Sequence, residues 1–122
     1  MYSVEVKTSF SSAHSLINYP GVCCNLHGHN YIVEVKVSGK KLNKIGIFYD
    51  FKELKDAVEE IINRFDHKYL NEIPPFDRIN PTSENLSKYI YKELKKKLPK
   101  YVKIERVSIS ESESSKVSYT GK

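Results

Sequence analysis

The sequence predicts an α+β fold, a four-stranded antiparallel sheet with two helices packed on one of its faces. Three observations predict it. Segments with strand and helix patterns follow in the order strand, strand, helix, helix, strand, strand, so the helices are grouped rather than interleaved with strands. Apolar residues recur at period two near both ends of the chain and at helical spacing in its middle. No repeat, low-complexity tract or linker divides the 122 residues, a length that fits one domain spanning 1–122.

Taken in order, Tyr2 to Phe10 alternates apolar and polar side chains in its first half, as a half-buried strand does. Tyr31 to Val37 alternates more clearly, with Tyr31, Val33, Val35 and Val37 on one face and Glu34 and Lys36 on the other. The turn-rich stretch Asn18 to Asn25 separates them, so the two segments form the arms of a long hairpin. Asp50 with Glu53 three residues later opens a first helix, and Leu54, Val58, Ile61, Ile62 and Phe65 carry its apolar face to about Phe65. Asn80 to Glu84 starts a second helix, Leu86, Ile90, Leu94 and Leu98 mark its buried side, and Pro99 closes it. Val102 to Ile109 and Lys116 to Tyr119 are the last strands, joined by a polar turn from Glu111 to Ser115.

The formal charge is +5 and the pI about 9.1, values that suit a polyphosphate substrate, a nucleic acid or simply solvated lysines. Lys92, Lys95, Lys96 and Lys97 need no ligand, since a helix C-terminus attracts cations by itself. The only cysteines, Cys23 and Cys24, are adjacent, a spacing that strains a disulfide. The N-terminus has no long apolar stretch and no run is long enough to cross a bilayer, so a cytoplasmic protein without membrane contact is expected.

The sharpest local feature is His27-Gly28-His29. On a strand, residues two apart share a face, so both imidazoles project together, and Gly28 between them permits close backbone approach. His14, at the end of the partner strand in Phe10-Ser-Ser-Ala-His14, supplies a third imidazole when the arms pair. Three histidines and one open position is the donor pattern of a catalytic zinc site. Cys23, four residues before His27, is open to three readings: a buried small hydrophobe, a fourth ligand that closes the site, or a reactive thiolate beside the metal.

These segments, in order, resemble the 6-pyruvoyl-tetrahydropterin synthase family. The match takes in Phe10 to His14, Cys23-Cys-Asn-Leu-His-Gly-His29, Tyr49-Asp-Phe-Lys-Glu-Leu54, Asp66-His67, Pro81-Thr-Ser-Glu-Asn85, and Glu111 before Tyr119-Thr-Gly121. The Cys-x-x-x-His-Gly-His spacing is similar to the branch that makes 6-carboxy-5,6,7,8-tetrahydropterin for queuosine-type bases. The resemblance implies the tunnelling fold, Zn2+ as cofactor on His14, His27 and His29, and a homo-oligomer, trimer-based, hexameric or tetrameric, with sites between subunits. It implies 7,8-dihydroneopterin triphosphate as substrate, with loss of triphosphate and acetaldehyde. It implies Cys23 as the base, Asp66 and His67 as its proton relay, and Glu111 as the carboxylate gripping the pterin's adjacent amino and ring N–H groups. Glu84 joins those contacts, and Thr82 and Ser83 offer either helix-start N–H groups to the ligand or plain helix capping.

Two alternatives stand beside this reading. The same residues serve 6-pyruvoyl-tetrahydropterin synthase chemistry without side-chain cleavage. A basic zinc protein that binds nucleic acid is the other, disfavoured because the zinc-finger spacings are absent and the aromatics sit in core segments rather than a stacking stripe.

Overall fold

Alternation near the N-terminus builds a long two-stranded arm in the computed structural model, which describes residues 1–17 and 25–122. Strand β1 (Tyr2–His14) pairs antiparallel with β2 (His27–Gly39) along its full length, from Tyr2 opposite Gly39 to His14 opposite His27. Directly paired residues share a face, so Val6, Phe10, Ser12 and His14 lie with Val35, Tyr31, His29 and His27. Both strands run further than their clearest alternation suggests, because the histidine ends continue the same ladder.

Helix α1 (Phe51–Ile62) starts on Asp50, whose carboxylate accepts from the Lys52 N–H at 2.7 Å. It ends three residues before Phe65, which stays buried because a turn bond from Phe65 N to Ile62 O folds it back onto the core. A two-residue strand, β3 (Lys68–Tyr69), follows. Helix α2 (Ser83–Lys97) is capped by Thr82, whose Oγ1 accepts from Asn85 N at 3.1 Å, a bond of about 1 kcal/mol. Lys95, Lys96 and Lys97 occupy its last turn, against the negative end of the helix dipole. Strand β4 (Lys103–Ser112) pairs with β2, and β5 (Ser115–Tyr119) with β4, both antiparallel.

The sheet order is β3-β1-β2-β4-β5. Five strands stand where the sequence predicts four, because β3 joins in parallel beside Ser12 and Ala13 and is too short to show alternation. A second difference matters for the site. Glu111, read from the sequence as part of the turn, belongs to β4, whose register against β5 shifts between Ile109 and Ser112.

Helix α1 packs on β1, α2 on β4 and β5, and the helices on each other. Leu54, Val58, Leu86, Ile90 and Leu94 close one core with Phe10, Tyr31, Val33, Val35, Val107 and Ile109. The opposite face carries Glu5, Lys7, Asn30, Glu34, Lys36 and Arg106, with Arg106 paired to Glu5 at 2.9 Å. That face is polar by construction and calls for no helix layer.

Two glycines in β2 behave differently. A Cβ on Gly39 would lie 2.1 Å from Cε1 of the buried Phe48 ring, whereas one on Gly28 meets only the Ser12 carbonyl at 3.7 Å, so the close approach expected at Gly28 is not required. Gly39→Ala is therefore expected to lose about 1–3 kcal/mol by overpacking, and Gly28→Ala to stay within about 0.5 kcal/mol of wild type. Urea unfolding of the metal-free proteins checks both.

Candidate metal centre

The β1–β2 register brings His14 and His27 directly opposite each other, and the period of two puts His29 on the same face. One ligand nitrogen from each lies within 4.8 Å of the others. His14 is fully buried, and the other two are half-buried.

The outer nitrogens decide the protonation state. His14 Nδ1 is 2.8 Å from the Pro81 carbonyl oxygen, and His27 Nδ1 is 2.7 Å from that of Asn25. A carbonyl only accepts, so each Nδ1 carries a proton, which leaves Nε2 as the ring atom open to a ligand. Those two Nε2 atoms are 2.9 Å apart. Lone pairs at that distance repel unless a proton or a metal cation lies between them. Burial pushes the His14 pKa down, more than the Pro81 carbonyl and Glu111 push it up, and burial likewise lowers that of His29. Burial thus works against a proton on His14 and His29. His29 Nε2 is buried and makes no hydrogen bond, a cost relieved by coordination. The three imidazoles therefore form a donor set that could hold a metal ion.

Glu111 reaches this triad from β4. Its Oε2 is 3.4 Å from His29 Nε2, and its Oε1 accepts from Ser83 Oγ at 2.8 Å. Four consecutive residues at the start of α2 brace the region. The Asn80 amide brackets the Ile17 backbone, accepting from its N–H at 2.8 Å and donating to its carbonyl at 3.0 Å. Pro81 holds His14, Thr82 caps the helix, and Ser83 holds Glu111. Asn71 brackets Ser15 in the same two-bond way, at 2.9 Å for each bond. Sequence reading took Asn80 and Pro81 only as a helix start and passed over Asn71, since a side chain that substitutes for a strand partner leaves no periodic signal.

The other expected site residues fall elsewhere. Glu84 is exposed on the first turn of α2. The Asp66 carboxylate accepts from Ser11 N at 2.9 Å, and its other oxygen is 3.7 Å from His67 Nε2. His67 adopts a left-handed backbone, φ 57°, and its exposed ring borders an open cavity of about 490 Å³ that is also lined by Ser12, by Lys68 and by His29 of the triad. Among the described residues no hydrogen bond or ion pair joins the Asp66–His67 pair to the triad, although His67 and His29 share the wall of this cavity. Cys23 lies outside the described residues.

Residues 3–122 match the family model described as 6-pyruvoyl tetrahydropterin synthase. A candidate 6-carboxy-5,6,7,8-tetrahydropterin synthase of Archaeoglobus fulgidus is 40% identical over 110 residues, 90% of this chain and 88% of that one. A dihydroneopterin monophosphate aldolase of Pyrococcus furiosus is 40% identical over 86 residues, 70% of each chain. The solved structure of Caenorhabditis elegans 6-pyruvoyl tetrahydropterin synthase superposes with a TM-score of 0.88 at 29% identity, covering 99% of this chain and 96% of that one.

Neutral histidines make a pH prediction. Because the folded-state pKa values of His14 and His29 lie below the ordinary 6.5, their contribution to folding is complete above that pH and is lost as pH falls through the lowered values. The thermal midpoint of metal-free protein is expected to drop between about pH 7 and 5, and less steeply in His29→Gln. A flat profile, or one identical in the variant, contradicts the assignment.

Proposed function

The chain belongs to the 6-pyruvoyl tetrahydropterin synthase family, and we propose that it converts 7,8-dihydroneopterin triphosphate to 6-carboxy-5,6,7,8-tetrahydropterin, releasing triphosphate and acetaldehyde. The observation that carries this reading is the three imidazoles gathered with ligand nitrogens within 4.8 Å of one another and the Glu111 carboxylate at their side. The Cys23-x-x-x-His27-Gly-His29 spacing and the Archaeoglobus relative favour the carboxy product.

His14, His27 and His29 would hold Zn2+, which when bound supplies a Lewis acid for the substrate's side-chain hydroxyls. Cys23, four residues before His27, is the proposed base: a thiolate near a cation has a lowered pKa and takes a proton from the carbon bearing the hydroxyl. Asp66 and His67 relay that proton. Glu111, oriented by Ser83 beside the triad, is the proposed carboxylate clasp on the pterin's amino and ring N–H groups, with Glu84 on the first turn of α2 joining those contacts. Thr82 and Ser83 act through the protein, one capping α2 and one holding Glu111.

Assembly completes the site in this reading. Among the described residues, Ser12 and Ala13 are the part of β1 that is paired on the side away from β2, and β5 ends the sheet's other side. Edge-to-edge pairing of copies into a trimer-based ring, hexamer or tetramer would cover both edges and bring the Asp66–His67 pair of one copy to the triad of the next.

A second reading, 6-pyruvoyl-tetrahydropterin synthase activity, is favoured by the likeness to the Caenorhabditis structure, and the Pyrococcus relative adds aldol cleavage of a monophosphate ester. Incubation of zinc-loaded protein with dihydroneopterin triphosphate separates them. Acetaldehyde with a 6-carboxy product is expected. A pyruvoyl product without acetaldehyde, or turnover confined to the monophosphate, selects the other readings. Cys23→Ala is expected to keep zinc and substrate binding while losing turnover by about 10²-fold or more, with Cys24→Ala much closer to wild type. Co-assembled His27→Ala and His67→Ala subunits, each inactive alone, are expected to recover a fraction of wild-type turnover. No recovery would mean that the relay and the triad do not come from different copies.

A further inference from the structure

Tyr31 is the largest fully buried side chain of the core, and the sequence marks it only as one more apolar position in the alternation of β2. Its surroundings give it a second role. It lies two residues past His29 and directly opposite Phe10, so its ring enters the floor beneath the triad. The ring stacks on Phe10 with centroids 4.9 Å apart and 15° between planes. It also meets two of the three imidazoles edge-on, His29 at 5.4 Å and His14 at 5.8 Å between centroids.

The hydroxyl is more specific than the ring. Tyr31 OH is 3.0 Å from His14 Nδ1, the same nitrogen that lies 2.8 Å from the Pro81 carbonyl. One N–H thus has two oxygens in reach, one from β2 and one from the segment that opens α2. Burial pushes the Tyr31 hydroxyl's pKa up, with the Glu111 carboxylate adding to the push, so the group stays a neutral phenol. A single acceptor would leave the imidazole free to swing about that bond, whereas two acceptors on different elements fix both tautomer and ring plane.

We propose that Tyr31 is a positioning residue for the metal centre: its hydroxyl and the Pro81 carbonyl together lock His14 with Nε2 aimed at the ion, while its ring sets the spacing of His14 and His29. This rests on the triad being a metal site. It adds a residue whose contribution runs through His14 and not through the substrate. The hydroxyl and ring functions separate cleanly, because Tyr31→Phe keeps the ring, the Phe10 stack and the edge contacts and removes only the second acceptor.

Zn2+ affinity by chelator competition, the visible absorption of Co2+-loaded protein and the thermal midpoint of metal-free protein test this. Wild type must first bind about one Zn2+ per chain, and failure there sinks the metal reading and this inference with it. Given that, Tyr31→Phe is expected to bind Zn2+ about 10–100-fold more weakly, with a changed Co2+ ligand-field spectrum and a metal-free midpoint close to wild type. Phe10→Leu, which disturbs the stack but leaves the hydroxyl, is expected to lower the midpoint without moving the Co2+ spectrum. Unchanged Zn2+ affinity and Co2+ spectrum in Tyr31→Phe would leave the metal reading intact and overturn the positioning role. So would an affinity loss matched by an equal fall in metal-free stability, since that is what a purely structural tyrosine gives.

Discussion

The antiparallel register of β1 on β2 is the constraint on which the rest of the site depends. It sets His14 across from His27 and Ser12 across from His29, so three imidazoles converge on one face before any loop or helix contributes. A slip of one residue would turn His14 to the polar face and leave His27 and His29 without a partner. The slip is prevented by the same alternation that builds the core, because Val6 and Phe10 would be carried to solvent with it. Metal binding and folding are thus specified by one pattern. The cost is that three ring nitrogens are held close together, with His14 fully buried and His29 Nε2 buried without a hydrogen bond among the described residues.

The helix layer turns that convergence into a fixed geometry. The segment from Asn80 to Ser83 touches the chain after β1, the outer nitrogen of His14, the first turn of α2 and the carboxylate of Glu111. Most of these bonds use backbone groups or short polar side chains that have little freedom to lose on ordering. Tyr31 closes the arrangement from below, between the core and the triad. The site is therefore supported from the sheet, from the helix start and from the core at once, as a preorganised ligand set requires.

Much of this was legible in the sequence, and the limits have physical causes. Strong alternation in β2 and the apolar stripes of both helices predicted the elements and the side of the sheet they cover. His27 and His29 announced themselves by their spacing, and His14 by its place at the end of the partner strand. The two residues of β3 were invisible, since pairing beside Ser12 is a tertiary contact with no local period. Glu111 looked like a turn residue because serines and acids surround it, yet β4 runs on to Ser112 past a register shift against β5, and so Glu111 comes beside His29. Asp66 and His67 were read as part of the same constellation. The Asp66 carboxylate holds the Ser11 N–H, and His67 lines a cavity that also reaches His29, contacts with no local sequence signal. The pairing of Asn71 and Asn80 with the backbone after β1 lay beyond sequence reading for the same reason.

The central claim is that His14, His27 and His29 form an open three-nitrogen metal site. X-ray absorption at the zinc edge of the loaded protein tests it most directly. Three imidazole nitrogens at about 2.0–2.1 Å with one lighter oxygen donor is the predicted first coordination sphere. A sulfur scatterer at about 2.3 Å would show Cys23 or Cys24 closing the site, and a shell with fewer than three imidazoles would show that the triad does not hold the ion.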